Sequence, residues 1–101
     1  MVDLKDSREE IDRIDQQIVA LFERRMRVAQ DVAEYKRAIG KPVFDKEREE
    51  AKLLAVQGFC TNEFNAHAVR EVFKQLMSIS RRYQQLRNTG NVRAAGVCVF
   101  R

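Results

Sequence analysis

The stretch Ile11-Asp12-Arg13-Ile14-Asp15-Gln16-Gln17-Ile18-Val19-Ala20-Leu21-Phe22-Glu23-Arg24-Arg25-Met26-Arg27-Val28-Ala29-Gln30-Asp31-Val32-Ala33-Glu34-Tyr35 decides the fold. Apolar residues recur at Ile11, Ile14, Ile18 and Leu21, then at Val28, Val32 and Tyr35, in alternating steps of three and four with one position missing. Such spacing lays one stripe along an α-helix. The missing position is Arg25. A guanidinium is always charged and carries five donors, so its place in a packed seam is costly unless an anion meets it. The seam therefore points to an internal anion site.

Outward from this stretch the helix finds its ends. Asp6 or Ser7 can cap it, Glu9, Glu10 and Asp12 suit its first turns, and nothing breaks it before Gly40 and Pro42. The result is a predicted helix of more than thirty residues in a chain of 101. A seam so narrow resembles that of a coiled coil, and so short a chain has no core of its own to cover it. The expected architecture is all-α: three helices per chain, one very long, in an intertwined homodimer.

Gly40-Lys41-Pro42-Val43-Phe44 reads as the turn, with Gly40 as C-cap and Pro42 beyond it. Asp45 caps a second helix from Lys46 to about Gln57, and Asn62 or Asn65 opens a third. In the third helix Val69, Phe73, Leu76 and Tyr83 form the apolar stripe, interrupted by Ser80. Gln84 lies one turn beyond Ser80 on the same face. After Asn88-Thr89-Gly90-Asn91 the pattern changes, and Val97-Cys98-Val99-Phe100 is strand-like with nothing to pair with. The expected division is a helical domain over residues 1–87 and a linker or tail over 88–101.

Composition narrows the class. Four Gly and one Pro against 45% hydrophobic residues favour few, long helices. Cys60 and Cys98 lack metal-ligand spacing and His67 is the lone histidine, so neither a disulfide scaffold nor a metal site is expected. No apolar run approaches a membrane span and the first residues are too polar for a signal peptide, which makes the cytoplasm the expected compartment. The net charge of +4 arises in the last segment: residues 1–40 hold eight Lys/Arg against nine Asp/Glu, 41–60 four against four, and 61–101 seven against two. That distribution reads as a solvated basic helix face rather than a nucleic-acid site.

Several polar residues interrupt the apolar seams together: Arg8, Arg25, Lys36, the Asp45/Arg48/Glu49 cluster, and Ser80 with Gln84. Arg25 and Lys36, eleven residues apart, return to within about 20° of one face and lie roughly 16 Å apart along the axis. Their side chains can reach opposite ends of one small ligand. Arg8 lies roughly 25 Å from Arg25 along a straight helix, so it can share that ligand only from a partner chain.

These residues carry a family resemblance. Arg8-Glu9-x-Ile11-x-x-Ile14-Asp15, Leu21-x-x-Arg24-Arg25 followed by Val32-x-x-x-Lys36, Pro42-Val43-x-Asp45-x-x-Arg48-Glu49, and Phe73 with Ser80 and Gln84 resemble, in order and spacing, the all-helical chorismate mutases. The resemblance covers residues 4–87 and implies an intertwined dimer of three-helix chains. It implies that Arg25 and the other chain's Arg8 clamp the two carboxylates of chorismate. Lys36 and Gln84 would then reach the ether oxygen from opposite sides. Glu49, with the backbone near Asp45, would hold the ring hydroxyl, and Arg48 and Ser80 would complete the polar wall. The implied reaction is the Claisen rearrangement of chorismate to prephenate in phenylalanine and tyrosine biosynthesis, without cofactor or metal.

Two rivals stand beside this reading. Some relatives on the same fold eliminate pyruvate from isochorismate, but their equivalents of Glu49 and Ser80 look apolar or aromatic. The other rival is a non-enzymatic dimeric helical module that binds an acidic partner through Arg81, Arg82, Arg87 and Arg93, which leaves Arg25 and Lys36 without a role. The strand-like tail also resembles the start of a prephenate dehydratase domain, as in bifunctional proteins that join the two activities.

Overall fold

The computed structural model describes residues 2–88. It contains three helices, α1 (Leu4–Ala38), α2 (Lys46–Gly58) and α3 (Glu63–Asn88), and no strand among the described residues. The all-helical class and the helix count agree with the periodicity. Of the tail expected over 88–101, Asn88 is instead the last residue of α3, and residues 89–101, with Arg93 and the Val97–Phe100 segment, lie outside the described residues.

The start of α1 corrects the expected cap. Asp3, not Asp6 or Ser7, is the N-cap: its extended backbone turns into the helix and its carboxylate accepts from the N–H groups of Lys5 at 2.8 Å and Asp6 at 3.3 Å. Three cap-type residues stand close together here, and the first of them satisfies the orphan donors at the end of the longest continuous helix. Asp6 instead places a carboxylate in the first turn, where the helix dipole favours it.

At the other end, Ile39 is the cap residue and Gly40 follows it with φ +76°. The Lys41 N–H donates to the carbonyl of Lys36 at 2.8 Å and the Gly40 N–H to that of Arg37 at 3.3 Å. This pair of bonds is a Schellman closure, and its left-handed position is what Gly supplies without Cβ strain. Asp45 caps α2 by accepting from the Arg48 N–H at 3.0 Å, and Asn62 caps α3 by accepting from the Asn65 N–H at 2.7 Å.

α2 packs chiefly on α3, which also lies against α1. Among the described residues the buried apolar side chains are Ala33, Leu53, Val56 and Met77, one or two from each helix. The chain measures 56 × 35 × 16 Å, so it is little thicker than one and a half helix diameters. Along α1 the seam residues Ile11, Ile14, Ile18, Leu21, Val28, Val32 and Tyr35 are all exposed, Ile18 by 58% and Leu21 by 54%. The stripe that defines the helix thus faces outward from its own chain.

Candidate active site

Where α1, α2 and α3 converge there is an open cleft of about 310 Å³. Arg25, Lys36, Asp45, Arg48, Glu49, Ser80 and Gln84 all line it. Seven of the eight residues singled out in the sequence are therefore brought to one place, and the eighth, Arg8, is not: it lies exposed near the start of α1. Apolar walls come from Val28, Ala29, Val32, Val43 and Met77. Such a mixture of apolar lining and convergent polar groups is the ordinary make-up of a small-molecule site.

Arg25 is half-buried, and among the described residues it meets no carboxylate. Its Nη1 donates to Ser80 Oγ at 3.3 Å, and the guanidinium lies 6.0 Å from the centre of the Phe73 ring. The Ser80 hydroxyl is directed in turn toward Met26 Sδ at 3.5 Å. These are neutral props that orient the cation without neutralising it. An arginine in a run such as Glu23-Arg24-Arg25-Met26-Arg27 usually finds a carboxylate or snorkels to water; Arg25 meets no carboxylate among the described residues and lines the cleft instead.

Lys36 closes the other end of the α1 wall. Its ammonium donates to the Val43 carbonyl at 3.1 Å, which fixes its direction and leaves two N–H groups for a ligand. The Schellman closure therefore has a second effect, because the turn it sets returns Val43 alongside Lys36. Gln84 is 8% exposed and its Nε2 donates to the Ala29 carbonyl of α1. That bond turns the amide so that its donor end faces α1 and the cleft, with one N–H still to give.

On the α2 wall, Asp45 spends its carboxylate on the helix cap, while Arg48 is exposed at the mouth. Glu49 is half-buried, and Arg81 Nη1 donates to its Oε1 across from α3. Arg81 and Lys52 complete the lining, and sequence reasoning assigned neither to it. The sequence suggests a basic outer face that includes Arg81; the structure instead turns it inward, with its guanidinium 4.8 Å from the Phe44 ring centre. The signal was present, since Met77, Ser80, Arg81 and Gln84 follow the spacing of one helix face. Arg82 is exposed, whereas the Arg87 side chain and Arg93 lie outside the description.

The charge balance of the cleft is cationic: Arg25, Lys36, Arg48, Lys52 and Arg81 against Asp45 and Glu49. With Arg81 matched by Glu49, Arg25 in the interior of α1 and Lys36 in its last turn remain open to an anion. Among the described residues no helix is long and apolar enough to cross a membrane.

Comparison with known protein families gives one match: residues 7–85 fit the family model of chorismate mutase type II. Because the match spans most of the chain, the chain belongs to that family. A search of curated proteins and a search of solved structures each found no match.

Proposed function

From membership of the chorismate mutase type II family, we propose that the cleft binds chorismate and catalyses its rearrangement to prephenate. The observation that carries the reading is the pair of uncompensated cations, Arg25 and Lys36, at opposite ends of an apolar-walled cleft, with the Gln84 amide fixed between the helices. Chorismate is a compact dianion whose two carboxylates are held apart by the enolpyruvyl ether, and it asks for that spacing of charge.

The rearrangement breaks one C–O bond and forms one C–C bond within the same molecule. No nucleophile or proton transfer is required. Acceleration has to come from holding the flexible ether in its chair-like reactive conformer and from stabilising charge as the C–O bond lengthens. Arg25 on one carboxylate and Arg8 of the partner subunit on the other would fix the conformer. Lys36, with Val43 directing it, and Gln84, with Ala29 directing it, would donate to the ether oxygen, where negative charge grows. Donors aimed at that oxygen bind the transition state more tightly than the substrate. Glu49 would accept from the ring hydroxyl, and Arg48 and Ser80 would complete the wall.

The reading includes the dimer, since Arg8 has no route to the cleft of its own chain. It also includes the division into a catalytic helical domain, residues 1–87, and a following segment. The test is an ultraviolet assay of chorismate disappearance with prephenate identified as product. Pyruvate release from isochorismate, with chorismate untouched, would refute the mutase reading in favour of the lyase chemistry.

A further inference from the structure

Glu49 stands between two cavities. One is the cleft just described. The other, also about 310 Å³, lies on the far side of the residue and is lined by Phe44, Lys46, Glu50 and Lys74 among others. Glu49 and Arg81 line both spaces, so their ion pair is part of the partition.

The partition matters because Glu49 has competitors for its charge. Lys46 and Lys52 sit three residues before and after it on α2, the spacing at which helix side chains meet, and Lys74 lines the cavity behind. An unpinned Glu49 would divide its time among these cations, and two of them would draw it out of the cleft. Arg81 reaches across from α3 and takes Oε1, which leaves Oε2 with its lone pairs for a donor in the cleft. The clamp is itself braced: the Arg81 guanidinium lies against the Phe44 ring at 4.8 Å, and both partners of the ion pair are at least two-thirds shielded from water, with side-chain exposures of 29% and 21%. A planar guanidinium can stack and bond at once, which an ammonium cannot do equally well.

We propose that Arg81 is a positioning residue for substrate recognition, holding the Glu49 carboxylate in the cleft as the acceptor for the ring hydroxyl of the substrate. The inference rests on the chorismate reading and adds a residue to it. Arg81 acts on the substrate through Glu49. The ring hydroxyl neighbours the breaking C–O bond but itself forms and breaks no bond, so a contact to it serves ground state and transition state alike and its loss falls mainly on KM.

The test uses steady-state kinetics and thermal melting of the full chain as wild type, Arg81→Met, Arg81→Lys, Glu49→Gln and the Arg81→Met/Glu49→Gln double variant. Each is assayed with chorismate and with an analogue lacking the ring hydroxyl. Arg81→Met should lower kcat/KM for chorismate by about tenfold or more, chiefly through KM, and Arg81→Lys should recover part of the loss. In the Glu49→Gln background the same substitution should change kcat/KM by less than about twofold, since coupled residues are not additive. On the analogue, wild type and Arg81→Met should be alike. Additive losses, an equal loss on the analogue, or an Arg81→Met enzyme as good as wild type would overturn the proposal. If melting shows Arg81→Met unfolded, the ratio of chorismate to analogue turnover in Arg81→Lys decides: a fall supports the proposal and an unchanged ratio overturns it. A wild type that forms no prephenate defeats the chorismate reading and this inference with it, whereas an active wild type with unaffected Arg81 variants defeats the inference alone.

Discussion

Replacing Arg25 by Ala separates a ligand site from a structural charge. In the structure the side chain is held by one bond to Ser80 at 3.3 Å and a ring contact at 6.0 Å, with no carboxylate. A long bond between a cation and a hydroxyl contributes about 1 kcal/mol, and a ring contact at that distance about 0.5 kcal/mol. Their loss, with some packing, should cost about 1–2 kcal/mol, which leaves a protein of ordinary stability almost wholly folded. Had Arg25 been one half of a buried ion pair, the cost would be about 3–5 kcal/mol. Activity should respond on a different scale. Removing one member of a shielded charge pair with a substrate carboxylate costs about 2–5 kcal/mol, a loss of roughly thirty-fold to several-thousand-fold in kcat/KM. Melting and chorismate turnover measured on one preparation compare the two numbers directly. A kcat/KM within tenfold of wild type would refute the assignment, as would a loss that merely follows the unfolded fraction.

Gln84→Glu should convert a donor that needs no proton into one that does: an ionised carboxylate beside the ether oxygen opposes the growing charge, so activity should rise as pH falls toward the carboxylate range near about 4.3, while wild type shows no such demand. A flat profile for the variant would remove Gln84 from the ether oxygen. Arg8→Ala and Lys36→Ala homodimers should each be nearly inactive, yet refolding an equal mixture should restore about a quarter of wild-type activity, because half the dimers are mixed and each of these has one intact site. A dead mixture whose subunits have demonstrably exchanged would place Arg8 outside the site. Gly40→Ala should cost about 1 kcal/mol, seen as a drop of about 4–8 °C in Tm, because φ +76° disfavours any Cβ even though the space around it is open; an unchanged melting curve would mean the turn has another way to close.

The parts of this molecule that depend on neighbours in sequence were readable there. A three-and-four repeat from Ile11 to Tyr35 with no Gly or Pro can only be a long helix, and Asp45 and Asn62 precede helices in positions where their side chains cap them. The start of α1 is ambiguous in the sequence because Asp3, Asp6 and Ser7 are all good caps and local chemistry does not rank them. Met77 escaped notice beside Leu76, although it is the buried member of the pair. Arg81 escaped for a deeper reason. In sequence it is half of an Arg81-Arg82 pair on a basic segment, and only the packing of α3 on α2 places Glu49, 32 residues away, within reach of its guanidinium. Charge runs declare their composition locally, but their partners are a property of the fold.

The exposed seam of α1 links assembly to chemistry. Seven large apolar residues lie outward on a helix whose own chain buries four apolar residues among those described. Covering a half-exposed residue of this kind is worth about 1 kcal/mol, so the seam offers on the order of 7 kcal/mol per chain to a partner, a sum comparable with the whole stability of a small domain. In the proposed dimer that surface is supplied by a second α1, and the same act brings Arg8 of the partner subunit toward the cleft it cannot reach at home. Folding, dimerisation and completion of the anion site would then be one transition. Dilution should accordingly lower the specific activity and the helical signal together, at the same protein concentration, because a folded chain that lacks its partner keeps neither a covered seam nor a second clamp for a dicarboxylate. Activity that persists per chain in a monomeric, fully helical sample would break this linkage and return Arg8 to the ordinary charges of a helix surface.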